Sequence, residues 1–97
     1  MQTNPTISIS ITTYNHEKFI KQTLEGVFMQ KINTSMEVII YNDASTDNTD
    51  SIIREMIKNR NDVRYVVQKH NKGVSGNFTD SIKDAQGKYV AVLDGDD

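Results

Sequence analysis

The 97-residue sequence contains no cysteine. Disulfides, Cys-ligated zinc, iron–sulfur clusters and a thiol nucleophile are therefore excluded, and a reducing compartment fits, so the expected localisation is cytoplasmic. An excess of positive charge is missing too: the formal net charge is −2, which gives no broad attractive field for nucleic acid or an anionic membrane surface. Long hydrophobic runs are also lacking. The apolar stretches have strand length, too short to cross a bilayer, and the start of the chain has neither the basic region nor the roughly 7–15-residue apolar run of a signal peptide. Neither a Gly-x-Gly-x-x-Gly nor a Gly-Lys-Ser/Thr loop occurs, so dinucleotide and P-loop readings lose their main support. The two histidines, His16 and His70, have no second ligand at metal-binding spacing and read as surface residues.

What is present is the composition of an ordinary globular domain, 36% hydrophobic and 25% charged. No repeat or linker divides it, so residues 1–97 read as one unit, small for an enzyme that must hold two substrates. Ile7, Ile9 and Ile11 alternate with Ser8, Ser10 and Thr12, a period-2 pattern that predicts a strand ending near Thr13. From His16 the period changes. Phe19, Ile20, Leu24, Val27 and Phe28 recur at three and four residues, predicting a helix to about Gln30, closed by Asn33, Thr34 and Ser35. The apolar run Val38 to Tyr41 reads as a strand buried on both faces. A second helix follows, capped by Asp47, Asn48 or Thr49 and ending around 59–61, with Ile52, Ile53, Met56 and Ile57 on its apolar face. Val63 to Val67 predicts a third strand, 75–85 a third helix that Gly87 ends, and Tyr89 to Leu93 a fourth strand.

The order β-α-β-α-β-α-β implies an α/β fold, a Rossmann-like open parallel sheet with alternating helices and right-handed crossovers. In such sheets ligands bind beyond the carboxyl ends of the strands, near the point where strand order reverses. Three of the four carboxyl ends carry polar clusters: Thr13-Tyr14-Asn15, Asn42-Asp43-Ala44-Ser45 and Asp94-Gly95-Asp96-Asp97. The topology brings these clusters to one rim.

Each cluster has a chemical and a bland reading. Three carboxylates within residues 94–97 cost free energy unless neutralised, and a hard cation such as Mg²⁺ or Mn²⁺ would do so while accepting diphosphate oxygens; a solvated acidic segment is the alternative. Asp43 can cap its own turn, or accept from the N3–H of a uracil or from a ribose hydroxyl. Tyr14 can stack on a base or pack over the sheet's end. Asn71, Gly73 and Ser75 form a plain loop and cap, or supply backbone donors to a diphosphate at a helix N-terminus.

Taken together, Ser-Ile-Thr-Thr-Tyr-Asn-His-Glu at 10–17, Glu-Val-Ile-Ile-Tyr-Asn-Asp-Ala-Ser-Thr-Asp at 37–47, Asn-Lys-Gly-Val-Ser-Gly-Asn at 71–77 and Gly-Lys-Tyr-Val-Ala-Val-Leu-Asp-Gly-Asp-Asp at 87–97 resemble, in order and spacing, the N-terminal part of the inverting family-2 glycosyltransferases of the GT-A fold. The resemblance runs from Ser8 to Asp97 and implies a nucleotide-sugar-binding half-domain that reaches an Asp-x-Asp type motif. It implies a nucleotide site of Thr13, Tyr14, Asn15, Asp43, Ser45 and Asp96, with Tyr14 on the face of the base and Asp43 at its edge. Asp96 and Asp97 would hold a Mg²⁺ or Mn²⁺ ion, with Asp94 in support. The implied partners are a nucleoside-diphosphate sugar, foremost a UDP-sugar, and a sugar or lipid-linked acceptor in the intact enzyme, in polysaccharide or glycoconjugate synthesis. The general base comes from the second half in the family, so no residue here takes that role and these residues alone are expected to be inactive.

The sequence departs from the family pattern at Thr12, where Pro is usual; at Asn42, where a first Asp is usual; and at Ala44, where Gly is common. Phe78 stands near an Arg that approaches the diphosphate in many relatives, and Lys72 is the candidate substitute. The alternative reading is a non-catalytic receiver-like module, which would want a phosphorylatable Asp after its third strand, where this chain has Gln68-Lys69-His70. Self-association through the exposed edge of the fourth strand is a further expectation.

Overall fold

The computed structural model describes residues 5–30 and 35–97; the closing turn expected at Asn33 and Thr34 lies outside the described residues. The elements follow the expected alternation: β1 (Ile7–Thr13), α1 (Ile20–Gln30), β2 (Met36–Asn42), α2 (Thr49–Ile57), β3 (Val63–Val67), α3 (Gly73–Asp84) and β4 (Tyr89–Asp94). All pairings are parallel, in the order β3-β2-β1-β4. A receiver-like sheet places β1 between β2 and β3. Here β1 lies between β2 and β4, so strand order reverses at β1, where an open parallel sheet places its crevice beyond the carboxyl ends of the strands.

The two faces of β1 explain its Ile/Ser alternation. Ile9 and Ile11 face a core with Val38 and Ile40 of β2, Ile20, Leu24 and Val27 of α1, and Ile53 of α2. Ser8, Ser10 and Thr12 lie on the other side, also buried. Small side chains there let α3 pack closely, and the Ser10 hydroxyl donates to Ser81 Oγ of that helix at 2.8 Å. A strand with an alternating pattern is thus buried on both faces. β4 differs: Tyr89, Val90 and Val92 are exposed, and β4 pairs only with β1 among the described residues.

Opposite the crevice, one carboxylate ties three strands together. Glu37 of β2 accepts from Ser8 Oγ, from the Gln86 amide at 2.8 Å and from Arg64 Nη1 at 2.7 Å. Ser8 Oγ in turn accepts from the Gly87 amide at 2.8 Å. Gly87 has no room for a side chain, because a Cβ there would lie 2.6 Å from the Ser8 backbone nitrogen. Partial burial alone would raise the Glu37 pKa, but the hydrogen bonds from Ser8, Gln86 and Arg64, with the Arg64 charge, hold it below the ordinary 4.5. A carboxyl depressed in the folded state contributes stability that is complete above its unfolded pKa and is lost as pH falls through the lower folded value. Glu37→Gln is expected to cost roughly 1–2 kcal/mol at neutral pH and to flatten the fall in urea midpoint below pH 4.5. An unchanged acid limb would show that other carboxylates carry it.

Candidate functional site

At the carboxyl ends of β1, β2 and β4 lies a cleft of about 440 Å³, the size of a small-ligand site. Tyr14, Asp43 and Asp96, which are 29 and 53 residues apart in sequence, share its wall with Thr13. Asn71, Gly73 and Asn77 come from α3 and the loop before it, while Thr12 and Asp94 complete the side nearest β4. Among the described residues no Lys or Arg lines it, and its carboxylates are Asp43, Asp94 and Asp96.

Asp43 is almost wholly buried, at 3% exposure, and its carboxylate is engaged. Oδ1 accepts from the Lys72 amide at 2.8 Å and Oδ2 from the Gly73 amide at 2.9 Å. These are the first amides of α3, so a side chain from β2 caps a helix thirty residues on. This tertiary cap explains why α3 starts at Gly73 rather than at the expected Ser75. The Lys72 and Gly73 amides are thus engaged by Asp43 at the start of the helix. Each carboxylate oxygen keeps a second lone pair, so Asp43 retains capacity to accept from a ligand in the cleft.

Asn15 and Ser45 do not line the cleft; they brace it. Asn15 has a φ of 54°, a conformation Asn tolerates, and the Asn15 amide donates to Ser45 Oγ at 2.9 Å. Its side chain receives the Thr46 amide at 2.8 Å and donates to Thr46 Oγ1 at 3.3 Å. The His16 amide donates to Thr49 Oγ1 at 2.9 Å and the Glu17 amide to Asp47 Oδ2 at 3.2 Å. These bonds zip the β1–α1 loop to the β2–α2 loop. They fix the entry to α1, which begins at Ile20, whose amide donates to the His16 carbonyl at 2.8 Å. Asp47 also accepts from the Thr49 amide and hydroxyl, while Asn48, at the formal cap position, makes no side-chain cap.

The structure shows what surrounds Asn42, Thr12 and Ala44. Asn42, fully buried, donates through Nδ2 to Tyr65 Oη at 3.0 Å and accepts through Oδ1 from the Ser45 amide and hydroxyl at 3.1 and 2.6 Å. The Tyr65 proton goes to Asp50 Oδ1 at 2.6 Å. Burial and that carboxylate push the Tyr65 phenol well above its ordinary 10. An amide supplies the donor and acceptor this position needs, whereas a carboxylate would compete with Asp50 for one proton. Thr12, buried at the end of β1, donates through Oγ1 to Asp94 Oδ1 at 3.2 Å. Ala44 has a φ of 60°, which costs a residue with a Cβ about 1–2 kcal/mol and would suit Gly better.

The acidic segment folds into a tight turn over β1. The Gly95 amide donates to the Thr12 carbonyl at 2.9 Å, and Thr23 Oγ1 of α1 donates to the Gly95 carbonyl at 2.8 Å. Carboxylate oxygens of Asp94, Asp96 and Asp97 come within 4.8 Å of one another. Three exposed oxygen donors at that spacing suit a hard divalent cation. They are not equivalent. Asp96 and Asp94 line the cleft, whereas Asp97 borders a separate groove beside α1, with one oxygen accepting from the Asp94 amide at 2.9 Å.

One sequence reading needs correction. His16 is not a bystander at the surface: it lines the cleft, with Nδ1 2.9 Å from Thr13 Oγ1 and Nε2 3.8 Å from Asp96 Oδ2. The Thr-x-x-His spacing across a positive-φ turn was the only local sign of it. The Lys72 ammonium, the candidate substitute for a phosphate-binding Arg, pairs with Asp80 Oδ2 at 2.6 Å and lies outside the lining of the cleft. Asn77, buried and donating to the Tyr41 carbonyl at 2.9 Å, was not singled out because its partner lies 36 residues away.

The family model described as glycosyl transferase family 2 matches residues 8–97. Over 93 residues the chain is 39% identical to a chondroitin synthase of Escherichia coli, covering 96% of this chain and 13% of that protein. Among solved structures it superposes with a TM-score of 0.83 on S. aureus TarS 1-349 in complex with UDP-GlcNAc, at 30% identity over 93% of this chain and 26% of that one. It also superposes with a TM-score of 0.86 on the mannosyltransferase PcManGT from Pyrobaculum calidifontis, at 24% identity over 98% of this chain and 28% of that one. The chain spans a third or less of the length of the curated relatives it matches. The fold thus recurs in glycosyltransferases of the GT-A fold, and the match along nearly the whole sequence places this chain in glycosyl transferase family 2.

Proposed function

We propose that the chain binds a nucleoside-diphosphate sugar, a UDP-sugar foremost, together with Mg²⁺ or Mn²⁺. In the intact enzyme the sugar then passes to a hydroxyl of a sugar or lipid-linked acceptor, in polysaccharide or glycoconjugate synthesis. The observation that carries this reading is the cleft shared by Tyr14, Asp43 and Asp96 without a Lys or Arg in its lining among the described residues. A diphosphate entering alone would meet the carboxylates of Asp43, Asp94 and Asp96, so its binding requires added positive charge. The TarS complexes with UDP and UDP-GlcNAc support a uridine donor.

On this reading Tyr14, 42% exposed at the rim, stacks on the base, and Asp43 accepts from its edge. Thr13 contributes its hydroxyl, with Asn15 and Ser45 tying the β1–α1 and β2–α2 loops together. Asp96 and Asp97 would hold the cation, Asp96 from the cleft side. A hard divalent cation supplies Lewis-acid neutralisation of diphosphate charge, which grows as the donor's glycosidic C–O bond breaks. In the inverting displacement the acceptor oxygen forms the new bond at the opposite face of the anomeric carbon and its proton goes to a base outside these residues.

Calorimetry with UDP tests this. Binding is expected to be at least about tenfold tighter in Mn²⁺ than in chelator, and Asp96→Ala is expected to lower affinity in Mn²⁺ by roughly tenfold or more. Equal binding in Mn²⁺ and in chelator would rule the reading out.

A further inference from the structure

Thr13, His16 and Asp96 all line the cleft and meet there. The backbone of His16 is fixed from the other side by its bond to Thr49 Oγ1, so the ring is presented by a loop already zipped to the β2–α2 turn. From there the imidazole reaches two partners. Nδ1 sits 2.9 Å from Thr13 Oγ1, and Nε2 faces Asp96 Oδ2 at 3.8 Å. When the Thr13 hydroxyl donates to Nδ1, a ring proton sits on Nε2, the nitrogen nearer the Asp96 carboxylate, at a separation longer than a hydrogen bond. The acidic turn is seated against the same pair of side chains, since a Cβ on Gly95 would lie 2.4 Å from Thr13 Oγ1 and 2.7 Å from His16 Nδ1. Thr13 is 2% exposed, and the His16 side chain is 23% exposed against 47% for Asp96. The braced, better-buried partners therefore orient the freer one.

We propose that His16, braced by Thr13, is a positioning residue that holds the Asp96 carboxylate toward the nucleotide cleft. The inference rests on the reading of the cleft as a nucleotide–cation site. Outer partners that orient a carboxylate ligand raise metal affinity by reducing the freedom it loses on binding. The long, partly exposed contact makes the effect smaller than that of removing the ligand itself.

The test uses the chain with Mn²⁺ alone and with UDP, before and after three substitutions. His16→Phe keeps a ring and removes both nitrogens, His16→Gln restores an amide donor near the Nε2 position, and Thr13→Val removes the brace. The expected result is that His16→Phe weakens Mn²⁺ binding and the Mn²⁺-dependent part of UDP affinity by about fivefold. UDP binding in chelator and the urea midpoint should change far less, His16→Gln should recover part of the loss, and Thr13→Val should reproduce part of it. If wild type binds UDP with Mn²⁺ but His16→Phe does so equally well, or loses Mn²⁺-free and Mn²⁺-dependent binding in the same proportion, the positioning role is overturned and the site reading stands. If wild type shows no Mn²⁺-dependent UDP binding, the site reading falls and the inference with it.

Discussion

Asp43→Ala is expected to abolish measurable UDP binding and to lower folding stability by about 1–3 kcal/mol, the range for a buried acceptor whose donors are left unpaired. Both effects come from one carboxylate. It is 3% exposed and takes the Lys72 and Gly73 amides at the start of α3, while its free lone pairs border the cleft. The stability loss is limited because the Gly73 amide has a second acceptor, Asn71 Oδ1 at 3.0 Å. It is increased by removing a negative charge from a helix N-terminus, worth roughly 0.3–1 kcal/mol. Asp43→Asn separates the two roles. An asparagine keeps one acceptor oxygen, so it should retain part of the cap, but it cannot offer two acceptors to α3 and a third to a base. Urea denaturation and UDP calorimetry on both variants measure the split. Full-strength UDP binding by Asp43→Ala would show that the carboxylate serves α3 alone.

Gly95→Ala should abolish Mn²⁺-dependent UDP binding and cost a further 1–3 kcal/mol or so, the usual range for overpacking. The added methyl would lie 2.4 Å from Thr13 Oγ1, 2.7 Å from His16 Nδ1 and 2.8 Å from Thr13 Cβ. Withdrawal of the turn is resisted on both sides, by the Gly95 amide bond to Thr12 and by the Thr23 hydroxyl bond to the Gly95 carbonyl. Relief therefore comes by moving residues 94–97, which displaces the three carboxylates together. Gly26→Ala is the matched control: nothing lies within 4 Å of a Cβ at this exposed position of α1. Alanine there should be neutral or stabilise by up to about 1 kcal/mol through helix propensity. Wild-type Mn²⁺ dependence in Gly95→Ala would mean that the acidic turn tolerates displacement, and the cation reading would lose its geometric basis.

The sequence by itself determined the alternation of strands and helices, the parallel sheet and the polar strand ends, because period-2 and period-3.6 patterns and turn residues are local properties of the chain. The Asp-Gly-Asp-Asp segment and Asp43 were visible for the same reason: a carboxylate after a buried strand stands out against its neighbours. Tertiary structure alone decided which side of β1 receives β4, and so where the crevice opens. It also decided that Asp96 faces that crevice while Asp97 turns toward α1, that Asn15 and Ser45 brace rather than line, and that Lys72 is neutralised by Asp80. The start of α3 shows the difference most directly. Its cap is Asp43, some thirty residues away, and no rule that reads neighbouring residues can find a partner brought close only by the packing of one strand end beside another helix.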